Sequence, residues 1–245
     1  MIKIYGLLIA LAILSAGLTA EKLNHKLSYF KLPISFFDLL PWFLIPGLIG
    51  ARLFHVIDYF DYYRQNIIQV FYLWQGGLGI FGAMAGGIFG LWLFVKVKKI
   101  NKRSLLKLLD LATLVLPLGQ AIGRWANYFN QELYGLPTSL PWGIAIKPES
   151  RPINYQNFTK FHPLFFYESF GCLMIFIFFY CLLKTNKIKK PGTFFWLYLL
   201  FYGILRFGLE FLRINSWTIN NFRVNQLICL GLIITSTYLL IKNNN

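Results

Sequence analysis

The sequence predicts an all-α integral membrane protein of about seven transmembrane helices, and three observations carry that reading. Hydrophobic residues make up 57% of the 245 and charged residues only 13%, against about a quarter charged in soluble domains. The charges are bunched, and the apolar runs between them approach the roughly 20 residues that a helix needs to cross the hydrocarbon core. Those runs are continuous instead of alternating, which argues against a transmembrane β-barrel, the other way to satisfy backbone groups in lipid. Running from end to end, they make residues 1–245 a single polytopic membrane domain.

The runs place spans near 4–20, 37–57, 72–95, 105–122, 163–183, 193–212 and 223–241. The first counts as a span and not as a cleaved leader. Leu18-Thr19-Ala20 offers a small-residue cleavage pattern, but Lys3 is the only early charge, and Tyr5 and Gly6 open the run. Alternate loops differ in basic content. Fourteen lysines and arginines fall in one set, at 22–31, 96–107, 184–190 and 242. Seven fall in the other, and Arg52, Arg124 and Arg206 lie in or beside spans. The richer set is expected to be cytoplasmic. That puts the N-terminus outside and the C-terminus in the cytoplasm, as an odd number of spans requires.

The longest connection, near 123–162, then lies on the outer side. Its prolines 137, 141, 148 and 152 and its Trp142 favour an ordered, membrane-skimming segment over a floppy linker. The net charge of +15 sits in short loops that the membrane explains, so membrane lipids are expected partners and nucleic acid is not. Cys172, Cys181 and Cys229 lie inside apolar runs at no metal-ligand spacing; no disulfide framework, metal site or cofactor is expected. No internal repeat suggests an inverted-repeat transporter.

Four motifs carry chemistry. Residues 119–135 close an apolar span with Arg124, Asn127, Asn130 and Glu132. Such groups near hydrocarbon are costly unless they pair or line a wet cavity. If the helix continues, Arg124, Asn127 and Gln131 share one face. In the second motif, Arg206 and Glu210 stand four apart; they form a structural ion pair, or Arg206 joins Arg124 in clamping a phosphate, a task that suits the forked guanidinium. His162-Pro163 opens a helix that carries Tyr167 and Glu168 inward, with His162 either structural or functional. Residues 74–87 are rich in glycine, which serves close helix packing or a backbone-lined groove for a lipid chain or peptide.

In their order and spacing, these motifs resemble those of the bacterial phosphatidylglycerol–prolipoprotein diacylglyceryl transferase family. The resemblance runs through Tyr5-Gly6, Gly50-Ala51-Arg52, the glycine run with Gly77, and Asp110. It continues through Gly123-Arg124 with Asn127, Asn130, Glu132 and Gly135, His162-Pro163 with Tyr167-Glu168, Arg206 with Glu210, and Arg223-Val224-Asn225-Gln226. It implies a seven-helix inner-membrane enzyme with its active site towards the outer side. Such an enzyme moves the diacylglyceryl group of phosphatidylglycerol to the lipobox cysteine thiol of a prolipoprotein signal peptide, forming a thioether and releasing glycerol phosphate. Arg124, Arg206 and Glu132 are then the expected catalytic residues. Tyr5, Gly77, Asp110, Asn127, Asn130, Gly135, His162, Glu168 and Glu210 are the expected substrate-binding ones, with Glu132, Glu168 and Glu210 fixing the arginines.

One position departs from the family. Phe81 stands where many members place a histidine proposed as the base that activates the thiol. Three readings follow: another residue accepts the proton, the arginines lower the thiol pKa enough to dispense with a base, or the chain is a non-catalytic or repurposed phospholipid-binding paralogue with a different acceptor.

Overall fold

The computed structural model describes residues 4–244 except 33, 215 and 221. The protein is a multi-pass, all-α membrane protein. Among the described residues, seven helical segments are long and apolar enough to cross a bilayer. They are α1 (Ile4–Lys26), α2 (Phe36–Asp58), α4 (Ile80–Val97), α5 (Lys102–Gly123) continued by α6 (Trp125–Phe129), α7 (Leu164–Lys184), α8 (Thr193–Glu210) and α9 (Val224–Asn244). A single turn, α3 (Phe60–Tyr63), follows α2. The chain divides into two compact units, one of residues 31–105 and one comprising the N-terminal 30 residues with everything from Leu106 onward.

In the smaller unit, α2 begins at a capping box. Ser35 Oγ accepts from the Phe37 amide (3.1 Å), and the Ser35 amide donates to Asp38 (3.3 Å). The helix then packs on α4 through bare backbone. Gly82, Gly86 and Gly90 recur every fourth residue of α4, opposite Gly50, Pro46 and Trp42 of α2. A Cβ at each of the three would run into the carbonyl oxygen of its partner. This is small-residue packing of the kind that brings helices together in lipid, where no hydrophobic force separates helix from tail. Of the two readings of the glycine run, these positions take the packing one.

The span expected near 72–95 starts later, at Ile80. Residues 67–71 and 73–75 form tight turns, and Gly76 and Gly77 adopt φ of +87° and +72°, which ends any helix there. The cause is Arg52, buried on α2. Its guanidinium donates to the carbonyls of Val70 (2.8 Å), Gly76 (2.7 Å), Gly77 (3.0 Å) and Gln69, so the backbone must turn inward to meet it.

In the larger unit, α5 is the most buried of the spans. Leu108, Leu111, Leu114 and Val115 supply its core face, with Phe179 of α7 and Phe194 of α8 against the same interior. Asp110 is fully buried there. It accepts from Tyr29 Oη (2.7 Å) and from the amides of Gly192 (2.6 Å) and Phe195 (2.9 Å), the otherwise unpaired donors at the start of α8. Burial, then the Asp110 charge and their hydrogen bond, push the Tyr29 phenol well above its ordinary pKa.

The connection 123–162 is ordered. It contains α6, two short 3-10 turns, and strands β1 (Ile144–Ala145) and β2 (Lys160–Phe161) paired antiparallel. A second small pair, β3 (Thr218–Ile219) and β4 (Phe222–Arg223), precedes α9.

Gly82→Ala is expected to destabilise the detergent-purified protein by about 1–3 kcal/mol, because the new methyl has nowhere to go. Gly231→Ala on α9, where an added Cβ meets nothing, should leave the thermal midpoint unchanged or raise it. Equal effects in the two variants would mean that the close α2–α4 approach is not required.

Candidate active site

The site is assembled by a patch of strand-like pairing that ties together the ends of three helices. After α6, the chain turns at Gln131 and Leu133, both with left-handed φ. It then runs between two segments distant in sequence. The Gly135 amide donates to His162 O (2.8 Å), Leu136 N to Leu212 O (2.8 Å), and His162 N to Leu136 O (3.1 Å), while Phe165 N at the head of α7 donates to Leu133 O (3.0 Å). The end of α6, the start of α7 and the end of α8 are thereby held together. Gly135 permits this because a Cβ there would sit 2.6 Å from Leu212 O.

Beneath this patch lies a buried charge cluster. Glu168, 1% exposed, is its hub. Its Oε1 accepts from Arg124 Nη2 (2.7 Å) and Tyr202 Oη (2.8 Å), and its Oε2 from Arg206 Nη1 (3.1 Å). Glu210, equally buried, faces Arg206 Nη2 (3.4 Å) and Arg213 Nη1 (3.6 Å) and accepts from Asn225 Nδ2 (3.1 Å), while Arg223 donates to its backbone carbonyl. Arg124 Nε is buried and has no hydrogen-bond partner among the described residues. An unpaired buried donor costs about 1–3 kcal/mol, and an acidic or phosphoryl oxygen would relieve it.

The expected site residues divide into groups. Arg124, Arg206, Glu168 and Glu210 converge as one cluster. Asn127, buried, and Asn130, exposed, both donate to Glu132 (3.2 Å each). Among the described residues Glu132 pairs with no arginine: its carboxylate closes the turn after α6. Gln131 also leaves the expected face, because the helix ends before it and its amide braces the loop at the Lys147 amide instead (3.1 Å). His162 bonds Tyr167 beside the cluster. Asp110 lies fourteen residues before Arg124 on the same helix, about 21 Å along it, with its acceptors engaged at the opposite end of the bundle. The side chain of Tyr5, in the first turn of α1, makes no hydrogen bond to another described residue, and Gly77 belongs to the Arg52-bound loop of the smaller unit.

Tyr202 and Tyr198 were not anticipated. They stack at 5.4 Å, and Tyr198 donates to Gln120 Oε1 (3.1 Å), which extends the network away from Glu168. The signal was present in the spacing, since Tyr198, Tyr202, Arg206 and Glu210 recur every four residues on one face of α8.

Apolar spanning helices around half-buried guanidinium groups, more numerous than the carboxylates they face, define a class of membrane protein suited to an anionic group. The chain belongs to the prolipoprotein diacylglyceryl transferase family, whose sequence model matches residues 1–242. It is similar to the phosphatidylglycerol–prolipoprotein diacylglyceryl transferase of Acaryochloris marina, 40% identical over 231 residues, which are 94% of this chain and 82% of that protein. It is also similar to the enzymes of the same name from Synechocystis, 37% identical over 98% of this chain and 86% of that one, and Finegoldia magna, 37% identical over 97% and 90%.

Glu168→Gln is expected to destabilise the protein by about 3–5 kcal/mol, because it removes the buried counter-charge that two half-buried guanidinium groups share. Thermal unfolding in detergent measures it. A loss under about 1 kcal/mol would show that the cluster is solvated as a surface pair is.

Proposed function

We propose that this chain transfers the diacylglyceryl group of phosphatidylglycerol to the lipobox cysteine thiol of a prolipoprotein. The reaction forms a thioether and releases glycerol phosphate. The observation that carries this reading is the convergence of Arg124 and Arg206 on Glu168, with Arg124 Nε buried and unpartnered.

The chemistry follows from the charges. The thiol gives up its proton to water, and the thiolate attacks a glycerol carbon. The C–S bond forms as the C–O bond breaks, and the electron pair goes to the departing phosphate. A phosphodiester with one negative charge thus becomes a monoester with two. Arg124, Arg206, Arg213 and Arg223 surround Glu168 and Glu210, a surplus of positive charge that matches the departing group better than the bound lipid. Interactions that strengthen as the reaction proceeds are the ones that lower its barrier. The same field favours the thiolate, so Phe81 in place of a base is compatible with turnover.

The proposed setting is the bacterial inner membrane, with the cluster towards the outer side, the N-terminus outside and the C-terminus inside. Lys96 over Trp92, Lys184 over Tyr180 and Lys242 over Tyr238 pair a cation with a ring at the C-terminal ends of α4, α7 and α9. Lysines and aromatic rings at helix ends anchor them at the interface, and positive loops favour the cytoplasm. The arginine cluster lies at the other ends of α7 and α9.

The test is thioether formation from phosphatidylglycerol and a lipobox peptide by the purified protein in lipid nanodiscs. Arg124→Ala and Arg206→Ala are each expected to lose about 10²–10³-fold in rate while still inserting in the membrane; near-normal activity in either refutes the phosphate clamp. Phe81→His is expected to change the rate by less than about tenfold, or 1.4 kcal/mol of barrier. A larger gain would reveal a missing base.

A further inference from the structure

His162 carries two kinds of restraint. Its backbone is pinned on both sides, N to Leu136 O and O to Gly135 N. Its ring is half-buried, and Nδ1 lies 3.2 Å from Tyr167 Oη. Trp142 Nε1 donates to that same hydroxyl at 2.8 Å.

The direction of the Trp142 bond is fixed by its chemistry, and the direction of the His162 bond is inferred from it. An indole N–H only donates, so Tyr167 Oη is an acceptor towards Trp142. The hydroxyl still has its own proton, and among the described residues His162 Nδ1 is the acceptor within reach. A neutral imidazole has one bare nitrogen and one protonated nitrogen, and the bond at one fixes the other. With Nδ1 receiving the Tyr167 proton, the ring proton must be on Nε2, which has no partner among the described residues.

We propose that Trp142 and Tyr167 hold His162 in its Nε2–H tautomer, and that this N–H reads the hydroxyl-bearing headgroup of the donor lipid. His162 is then a donor and not the acceptor of the thiol proton, since its only bare nitrogen is occupied. Its place follows from the chain. Glu168, the hub of the phosphate-holding cluster, is six residues further along α7, so His162 stands at the end of that helix where the part of the headgroup beyond the phosphate would lie. A hydroxyl oxygen accepts from Nε2–H; an ammonium headgroup has only protons to offer and is rejected. Trp142 and Tyr167 are positioning residues, and His162 is a specificity-determining one. The headgroup role rests on the transferase reading above, whereas the tautomer does not.

The chain has three histidines, which makes the tautomer directly measurable. The full-length protein, labelled with ¹⁵N-histidine and placed in nanodiscs, should give His162 nitrogen shifts of an Nε2–H ring. His25→Gln and His55→Gln assign the other two signals. In Tyr167→Phe the His162 signal should move towards a mixture of tautomers while the His25 and His55 signals stay in place. An Nδ1–H ring in the wild type overturns the proposal, as does an unmoved His162 signal in the variant.

Transfer to a lipobox peptide is then compared for phosphatidylglycerol and phosphatidylpropanol, which keeps the phosphodiester and lacks both hydroxyls. The wild type should favour phosphatidylglycerol in kcat/KM. His162→Ala and Tyr167→Phe should erase about tenfold of that preference, the equivalent of one hydrogen bond, with Trp142→Phe between them and the wild type. Undiminished preference in His162→Ala refutes headgroup reading while the transferase reading stands. No transfer by the wild type from either lipid refutes the transferase reading itself, and the tautomer result is unaffected.

Discussion

A single buried carboxylate organises this protein. Glu168 sits buried between two half-buried guanidinium groups from different helices, and without it Arg124 and Arg206 would lose the counter-charge they share. Burying such a cluster is poor value for stability, since desolvation consumes most of what the ion pairs return and well-packed apolar side chains would often do better. The cost makes sense as preorganisation. Arg124 commits one terminal nitrogen to Glu168 and keeps its buried Nε without a partner among the described residues, which suits the proposed anionic substrate.

The cluster depends in turn on a few backbone hydrogen bonds at the ends of the spans. Arg124, Glu168 and Arg206 come from three successive helical segments, the first two separated by a long connection. It is the run from Leu133 to Leu136, threaded between His162 and Leu212, that sets their spacing. This explains a glycine at 135 in mechanical terms. Two chain segments approach so closely there that a methyl group would push the end of α8, and with it Arg206, away from its partner.

Most of the helical fold was legible, because a continuous apolar run near 20 residues has few meanings other than a spanning helix. Charge spacing was legible for the same reason of periodicity: Arg206 and Glu210 pair as their four-residue offset requires. Sequence reading failed where backbone conformation and not composition decides. The glycine run reads as a span from residue 72, yet Arg52 captures the carbonyls of Gly76 and Gly77 and delays the helix to Ile80. Glu132 reads as one more counter-ion for arginine, yet the turn at Gln131 points it back to Asn127 and Asn130. Asp110, which the resemblance casts as substrate-binding, accepts from amides at the start of a helix more than eighty residues later in the chain. Each case involves a partner that no local pattern announces.

The Arg52 arrangement differs from the Glu168 cluster in a way that bears on how the two units tolerate change. Among the described residues its hydrogen-bond acceptors are all main-chain oxygens, contributed by residues 69, 70, 72, 76 and 77. Main-chain oxygens are present whatever side chains those positions carry. Replacing one residue by another therefore leaves the anchor's complement intact, whereas adding or deleting a residue in that stretch shifts several acceptors at once. Loop length, more than loop identity, is what this buried cation enforces.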